Sequence, residues 1–285
     1  MRIVIDSNKL QSDELEEFLK RNSSNRAVLT DFVAMEAYKG NTLVGIFKSL
    51  EIISKFPNQI VILKNSVSAC RLSGRRKSLQ KRLIDQNQTN SFSIFIEHLI
   101  RAKNGNMGIA QELIEKGRMA DEHFSEMLNV AQEMKPAIEV LGKEFTKKER
   151  RIIRENDAYT HEMATKLIST ILEISSFIAA DSPYVRKMPP QNELPNTFFF
   201  RFALACYFMI IRRSSEGGVL DTAPEKLRND FVDMGIVAYG TFFDGVLSAD
   251  NRLLTVFNDS CIFLYSINAE VPFMNSRITV AENHA

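Results

Sequence analysis

Hydrophobic positions along the chain follow two rhythms. Arg2 to Ile5 is a short β-branched run that stops at Asp6-Ser7-Asn8, and Gln59 to Leu63 is a second run introduced by Pro57-Asn58. Apolar runs this short, bounded by polar or turn residues, predict buried strands. Gly245 to Ser248 and Cys261 to Tyr265 predict a third and a fourth, with a helical turn through Leu254 between them. Elsewhere the apolar spacing changes to three and four. Ser12 opens a helical segment carrying Leu15, Phe18 and Leu19, which closes at Ser23-Ser24-Asn25. Thr30 to Phe56 predicts a helix pair through Phe32, Val33, Ala37, Ile46, Leu50 and Ile53, with Asp31 capping its start and a break at Gly40-Asn41.

From about residue 91 to 176 the pattern is helical, with a break expected at Pro136 because proline removes a helix hydrogen bond. Pro183, Pro189, Pro190 and Pro195 mark an irregular connector. Thr197 to Arg213 predicts a buried helix. Thr222 as cap, Pro224 in the first turn and Glu225 three residues after the cap predict another, running to about Phe243. Short apolar strands separated by helices imply an α/β fold, a parallel sheet covered on both faces. The chain reads as one domain, residues 1–285, with core segments about 1–90 and 196–285 and a helical insertion about 91–195. No fixed-period repeat runs through that insertion.

Composition narrows the function. With 285 residues, 45% of them hydrophobic, and 36 Lys+Arg against 35 Asp+Glu, the chain is long and apolar enough to bury a core. Disordered, collagen-like and small disulfide-framework classes are excluded. A net charge of +1 leaves no overall basic field for coating duplex DNA, so any nucleic-acid contact must be local. The one marked charge run is Arg71, Arg75, Arg76, Lys77, Lys81 and Arg82, with no acid between its ends. Cys70, Cys206 and Cys261 are far apart and form no metal spacing, which predicts reduced thiols in a cytoplasmic protein. The amino terminus carries no export pattern. The longest apolar stretch, Phe202 to Ile211, would cross only about half of a hydrocarbon core and predicts a buried helix, with no membrane partner.

The candidate chemistry lies in carboxylates. Asp6 directly follows the first strand and Asp250 follows Gly245 to Ser248 after one residue, so parallel strands project both from one edge of the sheet, where α/β ligands bind. Asp230 and Asp233 are three apart on one helical face, a spacing that equally suits a solvated surface. Glu36 stands in an otherwise apolar stretch; taken alone it reads as an exposed helical Glu. Asp244 precedes its strand, which assigns it to the opposite edge as a turn residue. His98, His123, His161 and His284 are scattered and form no zinc site. No Gly-rich loop follows the first strand, which argues against a nucleotide-binding domain. Phe198, Phe199, Phe200 and Phe202 open an apolar helix and read as core.

The ordered segments IVIDSN, LTDFVAMEAYKG and NDFVDMGIVAYGTFFDGVLSADNRL resemble the PIN-domain family of metal-dependent ribonucleases, in its larger form with a helical insertion. The resemblance covers roughly residues 1–65 and 196–268. It implies a three-layer fold around a central parallel sheet. Asp6, Glu36, Asp233 and Asp250 would be the catalytic and metal-binding acids, with Asp230 as substitute or partner for Asp233. Ser7, Asn8 and Ser248 would support them, Ser248 standing where the family usually has Thr. Four converging carboxylates need a compensating cation, and an all-oxygen set suits Mg²⁺ or Mn²⁺. The implied activity is endoribonuclease hydrolysis of RNA phosphodiester bonds, in the service of a toxin or defence effector. RNA would be gripped by the Arg71 to Arg82 run, with Lys39 and Arg252 as secondary phosphate contacts, and a regulatory protein or a second copy would be the protein partner. The alternative is a non-catalytic PIN-like interaction module acting through its insertion, where Met107, Met119, Met127 and Met134 offer an adaptable face.

Overall fold

The segments Arg2–Ile5 (β1), Arg26–Leu29 (β2), Ile60–Ile62 (β3) and Val246–Leu247 (β4) form one parallel sheet in the order β3-β2-β1-β4. The computed structural model describes residues 1–39, 42–155, 157, 159–181, 185, 187–216 and 222–274. The expected break at Gly40-Asn41, Pro183 and His284 lie outside the described residues. Val4 pairs with both Val28 and Val246, which fixes the register at the centre of the sheet. Neighbours along a strand point to opposite faces, yet Val4, Ile5, Ala27 and Val28 are all fully buried. Both faces are therefore covered, as the unbroken apolar runs predicted.

Thirteen α-helices surround this sheet among the described residues. They are α1 (Asp13–Arg21), α2 (Asp31–Tyr38), α3 (Leu43–Ser54), α4 (Ser66–Cys70), α5 (Leu79–Leu83), α6 (Gln86–Asn90) and α7 (Phe92–Lys103), followed by α8 (Met107–Gly142), α9 (Lys147–Glu155), α10 (His161–Asp181), α11 (Phe198–Glu216), α12 (Pro224–Gly240) and α13 (Asn251–Ser266). The molecule is a mixed α/β fold, mostly helical, on a small sheet. The middle segment is built onto the core: α8, α9 and α10 pack on α11, and α8 also packs on α2 and α12.

Several local expectations are corrected. β2 was not foreseen. Cys261 to Tyr265 is the last part of α13, because the apolar spacing through Leu253, Val256, Phe257, Cys261 and Leu264 is helical and that face is buried. Pro136 does not break its helix; it lies inside the 36-residue α8. Residues 132 and 136 are both exposed, so the carbonyl that loses its partner is open to solvent. Thr30, not Asp31, caps α2, its hydroxyl accepting the Val33 N–H at 3.3 Å, while the Asp31 carboxylate accepts the Ser66 N–H at 3.0 Å. The cap position of α12 is Ala223, without a side-chain bond, and that helix ends at Gly240 rather than near Phe243.

Cys206 and Cys261 are buried free thiols and Cys70 is half-buried. The stretch Phe202 to Ile211 lies in α11, whose residues from 203 to 211 are all buried. Among the described residues α10 alone is long and apolar enough to cross a membrane by length and composition, with 33% of its most apolar window buried.

Arg201 joins three parts of the core. It is fully buried, and its guanidinium donates to the carbonyls of Pro195 (3.0 Å), Thr241 (2.8 Å) and Glu270 (2.7 Å) and to Asn196 Oδ1 (2.9 Å). It also stacks 3.8 Å over the Phe242 ring. Burial pulls its pKa down to about 9, which leaves it charged at neutral pH. Five donors in a rigid plane explain why an arginine stands in an otherwise apolar helix.

Candidate active site

The site forms where β1 and β4 end side by side. Asp6 is 3% exposed; its N–H donates to the Leu247 carbonyl at 2.9 Å, extending the ladder one residue past both strands. Its carboxylate is held on one oxygen. Ser248 Oγ donates to Oδ2 at 2.5 Å and Asn8 Nδ2 at 2.6 Å, while Ser7 Oγ lies 3.5 Å from Oδ1. Asn8 Oδ1 accepts the Ala249 N–H at 3.1 Å, so one amide ties the loop after β1 to the loop after β4. Asn8 and Ser248 thus orient Asp6, as charge-assisted hydrogen bonds to a carboxylate do, while the single hydroxyl proton of Ser7 stands between Asp6 and Glu36.

Asp250 starts α13. Its Oδ1 accepts the N–H groups of Arg252 (2.7 Å) and Leu253 (3.2 Å), and its own N–H donates to Ser248 Oγ at 3.0 Å. Helix starts favour a carboxylate because unpaired N–H groups and the helix dipole meet there.

Glu36 reaches the same place from α2. Burial raises its pKa most; a hydrogen bond from Ser7 lowers it, Asp6 raises it, and Lys39 and Arg228 lower it. Asp233 comes from α12. Burial and then the charges of Asp6, Asp250, Asp230 and Glu36 push it up to about 8. Among the described residues no hydrogen-bond donor reaches its carboxylate. Four acids distant in the chain therefore act on one another, and the least compensated of them holds a proton at neutral pH.

Asp230 has a different part. Its carboxylate is taken by Arg213 of α11, at 2.5 Å from Nε and 2.6 Å from Nη2, and both side chains are buried. Burial raises its pKa and Arg213 opposes the rise. It is a helix-to-helix tie one turn behind Asp233, not an acid open to a ligand. Arg213→Met would leave that carboxylate buried and alone, and is expected to cost about 3–5 kcal/mol in urea unfolding. Arg213→Met combined with Asp230→Leu is expected to recover most of this loss; equal destabilisation by the single and double variants would refute the account.

The donor set fits a hard divalent cation: all-oxygen ligands, and an acid whose proton such an ion would displace. Among the described residues no three His, Cys, Asp or Glu side chains are grouped closely enough to hold an ion as they stand. Asp6 commits Oδ2 to Ser248 and Asn8, and Asp250 commits Oδ1 to the start of α13, so each keeps its other oxygen for an ion. Binding requires these carboxylates to present their second oxygens.

Arg76 and Arg82 of the basic run bond away from the acids. Arg76 donates to the Asn268 carbonyl beyond the far end of α13, the helix that Asp250 begins, which is about 24 Å long. Gln80, within the run, accepts from Arg2 at the start of β1 and donates to the Phe242 carbonyl at 2.8 Å. Arg82 is spent on its own loop, donating to the Ser73 carbonyl at 2.8 Å and to the Arg75 carbonyl. Asp244 also stands at this edge, accepting the Arg2 N–H at 2.7 Å, as its position before β4 predicted. The cations that act on the acids among the described residues include Lys39 and Arg228 on Glu36 and, behind Arg213, Arg252 and Lys226 on Asp230. Arg228 was not foreseen; nothing in its sequence neighbourhood links it to α2. A cleft of about 770 Å³ lies elsewhere, between α2, α7 and α8, lined by Val33, Tyr38, Phe92 and Phe95 but not by Glu36.

No family model matches the chain, and neither the curated proteins nor the solved structures contain a significant match to it.

Proposed function

We propose that this protein is a divalent-metal-dependent endoribonuclease with a PIN-like three-layer core and an added helical segment. One observation carries the reading: Asp6, Glu36, Asp233 and Asp250, drawn from four separate parts of the chain, lie close enough that burial and then the charges of Asp6, Asp250, Asp230 and Glu36 push the Asp233 carboxyl up to about 8. Clustering of acids at that cost to folding is what a cation site requires and what a structural surface avoids.

Asp6, Asp233 and Asp250 would hold Mg²⁺ or Mn²⁺, and Glu36 would orient the attacking water or take its proton. The ion would supply an acidified water and charge neutralisation on the scissile phosphate. Asn8 and Ser248 keep Asp6 in one orientation, so that the first acid enters the site already placed. Such a protein would work in the cytoplasm on cellular RNA as a toxin or defence effector. The test is cleavage of tRNA and mixed RNA with Mg²⁺ or Mn²⁺ and with chelator. Cleavage by the wild type only with metal, and none by Asp6→Asn, is expected; equal cleavage by both proteins rules the reading out.

A second reading, a non-catalytic module that docks a partner through the added helices, draws on α8. Met119 (59% exposed), Val130 (52%) and Met134 (38%) are separated by eleven and four residues, close to three turns and one, and so share a side of the helix. Met107 is exposed as well, whereas Met127 packs against the core. Light scattering that finds a strict monomer would remove the self-association form of this reading.

A further inference from the structure

Helix α8 packs on α2 and on α12, the two helices that carry Glu36 and Asp233. From α8 comes Phe124, only 4% exposed. Lys39, at the end of α2, sets its Nζ 5.5 Å from the centre of that ring, and the Arg228 guanidinium of α12 stands 5.3 Å from the same centre. The two charges therefore lie within about 11 Å of each other. An aromatic face attracts cations, so one ring can gather two that would otherwise drift apart.

Neither cation is matched by an acid at contact distance. Among the described residues Lys39 and Arg228 form no ion pair; Arg228 bonds instead to Asn229 Oδ1 at 2.8 Å. Both still act on Glu36, so they border the acid cluster rather than a remote surface. Two like charges that share one carboxylate, Glu36, at longer range keep their direct hydrogen-bonding capacity for an anion that spans them. Beside this set of acids, an anion that engages both cations must be extended and carry its charges at intervals, as a nucleic-acid strand does.

We propose that Phe124 is a positioning residue that fixes Lys39 and Arg228 as a two-point clamp for the sugar-phosphate backbone of single-stranded RNA entering the acid site. The inference rests on the ribonuclease reading and adds to it the part played by the helical segment, which would form one wall of the substrate path.

The test is equilibrium binding of a short labelled oligouridylate, followed by fluorescence anisotropy over a range of salt with Mg²⁺ present. Every variant is made in the full-length Asp6→Asn chain so that the RNA stays whole. Lys39→Met and Arg228→Met are each expected to flatten the plot of log affinity against log salt by about 0.7. Phe124→Leu is expected to weaken binding roughly threefold or more, and Phe124→Tyr, which keeps the ring, to bind like the parent. Lys20→Gln, on the distant α1, controls for the loss of one positive charge. If the parent binds and the Lys39, Arg228 and Phe124 variants match it, the clamp is overturned while metal-dependent cleavage can still stand. If the parent does not bind RNA and the wild type does not cut it, both fall together. Should Phe124→Leu fail to fold, the salt slopes of the two cation variants decide.

Discussion

Asp233→Asn is expected to melt at a higher temperature than the wild type in metal-free buffer at neutral pH, and to lose RNA cleavage by roughly a thousandfold or more. The two effects share one cause. Asp233 is withdrawn from water among four other acids, with no donor to its carboxylate among the described residues, so its charged form is disfavoured in the folded state and its pKa rises to about 8. In the unfolded chain an aspartate titrates near 3.9. Between these values the folded protein keeps a proton that the unfolded chain has released. Stability from this group is complete below about pH 4, falls as pH rises by up to about 1.4 kcal/mol per unit, and is lost beyond about pH 8. An amide carries no such charge, and the variant should lack this slope in urea titrations across that range. The same substitution removes a carboxylate proposed to hold the ion, whose stabilisation of transition-state charge amounts to several kcal/mol. A variant less stable than the wild type at pH 7, or with the slope intact, would refute this account of the cluster. Adding Mg²⁺ to the wild type should release protons below pH 8 and raise its melting temperature, with little response from Asp233→Asn.

Arg201→Met is expected to be the most damaging substitution for folding, at about 3–5 kcal/mol, or roughly a 10 °C fall in melting temperature. Methionine keeps the apolar stem of the side chain but ends before the guanidinium, and leaves the carbonyls of Pro195, Thr241 and Glu270 without the donors that reach them now. Those carbonyls lie before α11, after α12 and after α13, so one guanidinium aligns the helices on which Asp233 and Asp250 stand. Urea unfolding measures the effect. A loss below about 1 kcal/mol would mean that water replaces these bonds, and that the buried arginine is not what sets the helices in place.

The strands at the site were legible because their apolar runs end abruptly. Arg2 to Ile5 stops at Asp6, and Gly245 to Ser248 stops one residue before Asp250, so order and length alone assigned Asp6 and Asp250 to one edge. Helix α1 was legible from Ser12 and its apolar spacing; Ser12 does cap it, accepting the Leu15 N–H at 3.2 Å. β2 was hidden by its composition and setting: Arg26 to Leu29 has one β-branched residue, Val28, against three in β1, and runs after Thr30 straight into the apolar residues of α2. Cys261 to Tyr265 misled in the opposite way, because five apolar and aromatic residues suit a strand, and only the longer period beginning at Leu253 shows the helix. The partners of the acids were the least legible. Arg213 and Asp230 are seventeen residues apart and meet because α11 and α12 pack together; Phe124 reaches Lys39 and Arg228 across even longer separations. Such pairings are set by packing, which local pattern does not encode.

Asp250 answers to two masters, since the oxygen that begins α13 belongs to an acid of the site. Asn, Ser and Thr serve nearly as well at the start of a helix. A change to any of them would therefore keep the start of α13 while removing one of the charges that push the Asp233 carboxyl up, so this corner can lose its acid without losing its helix.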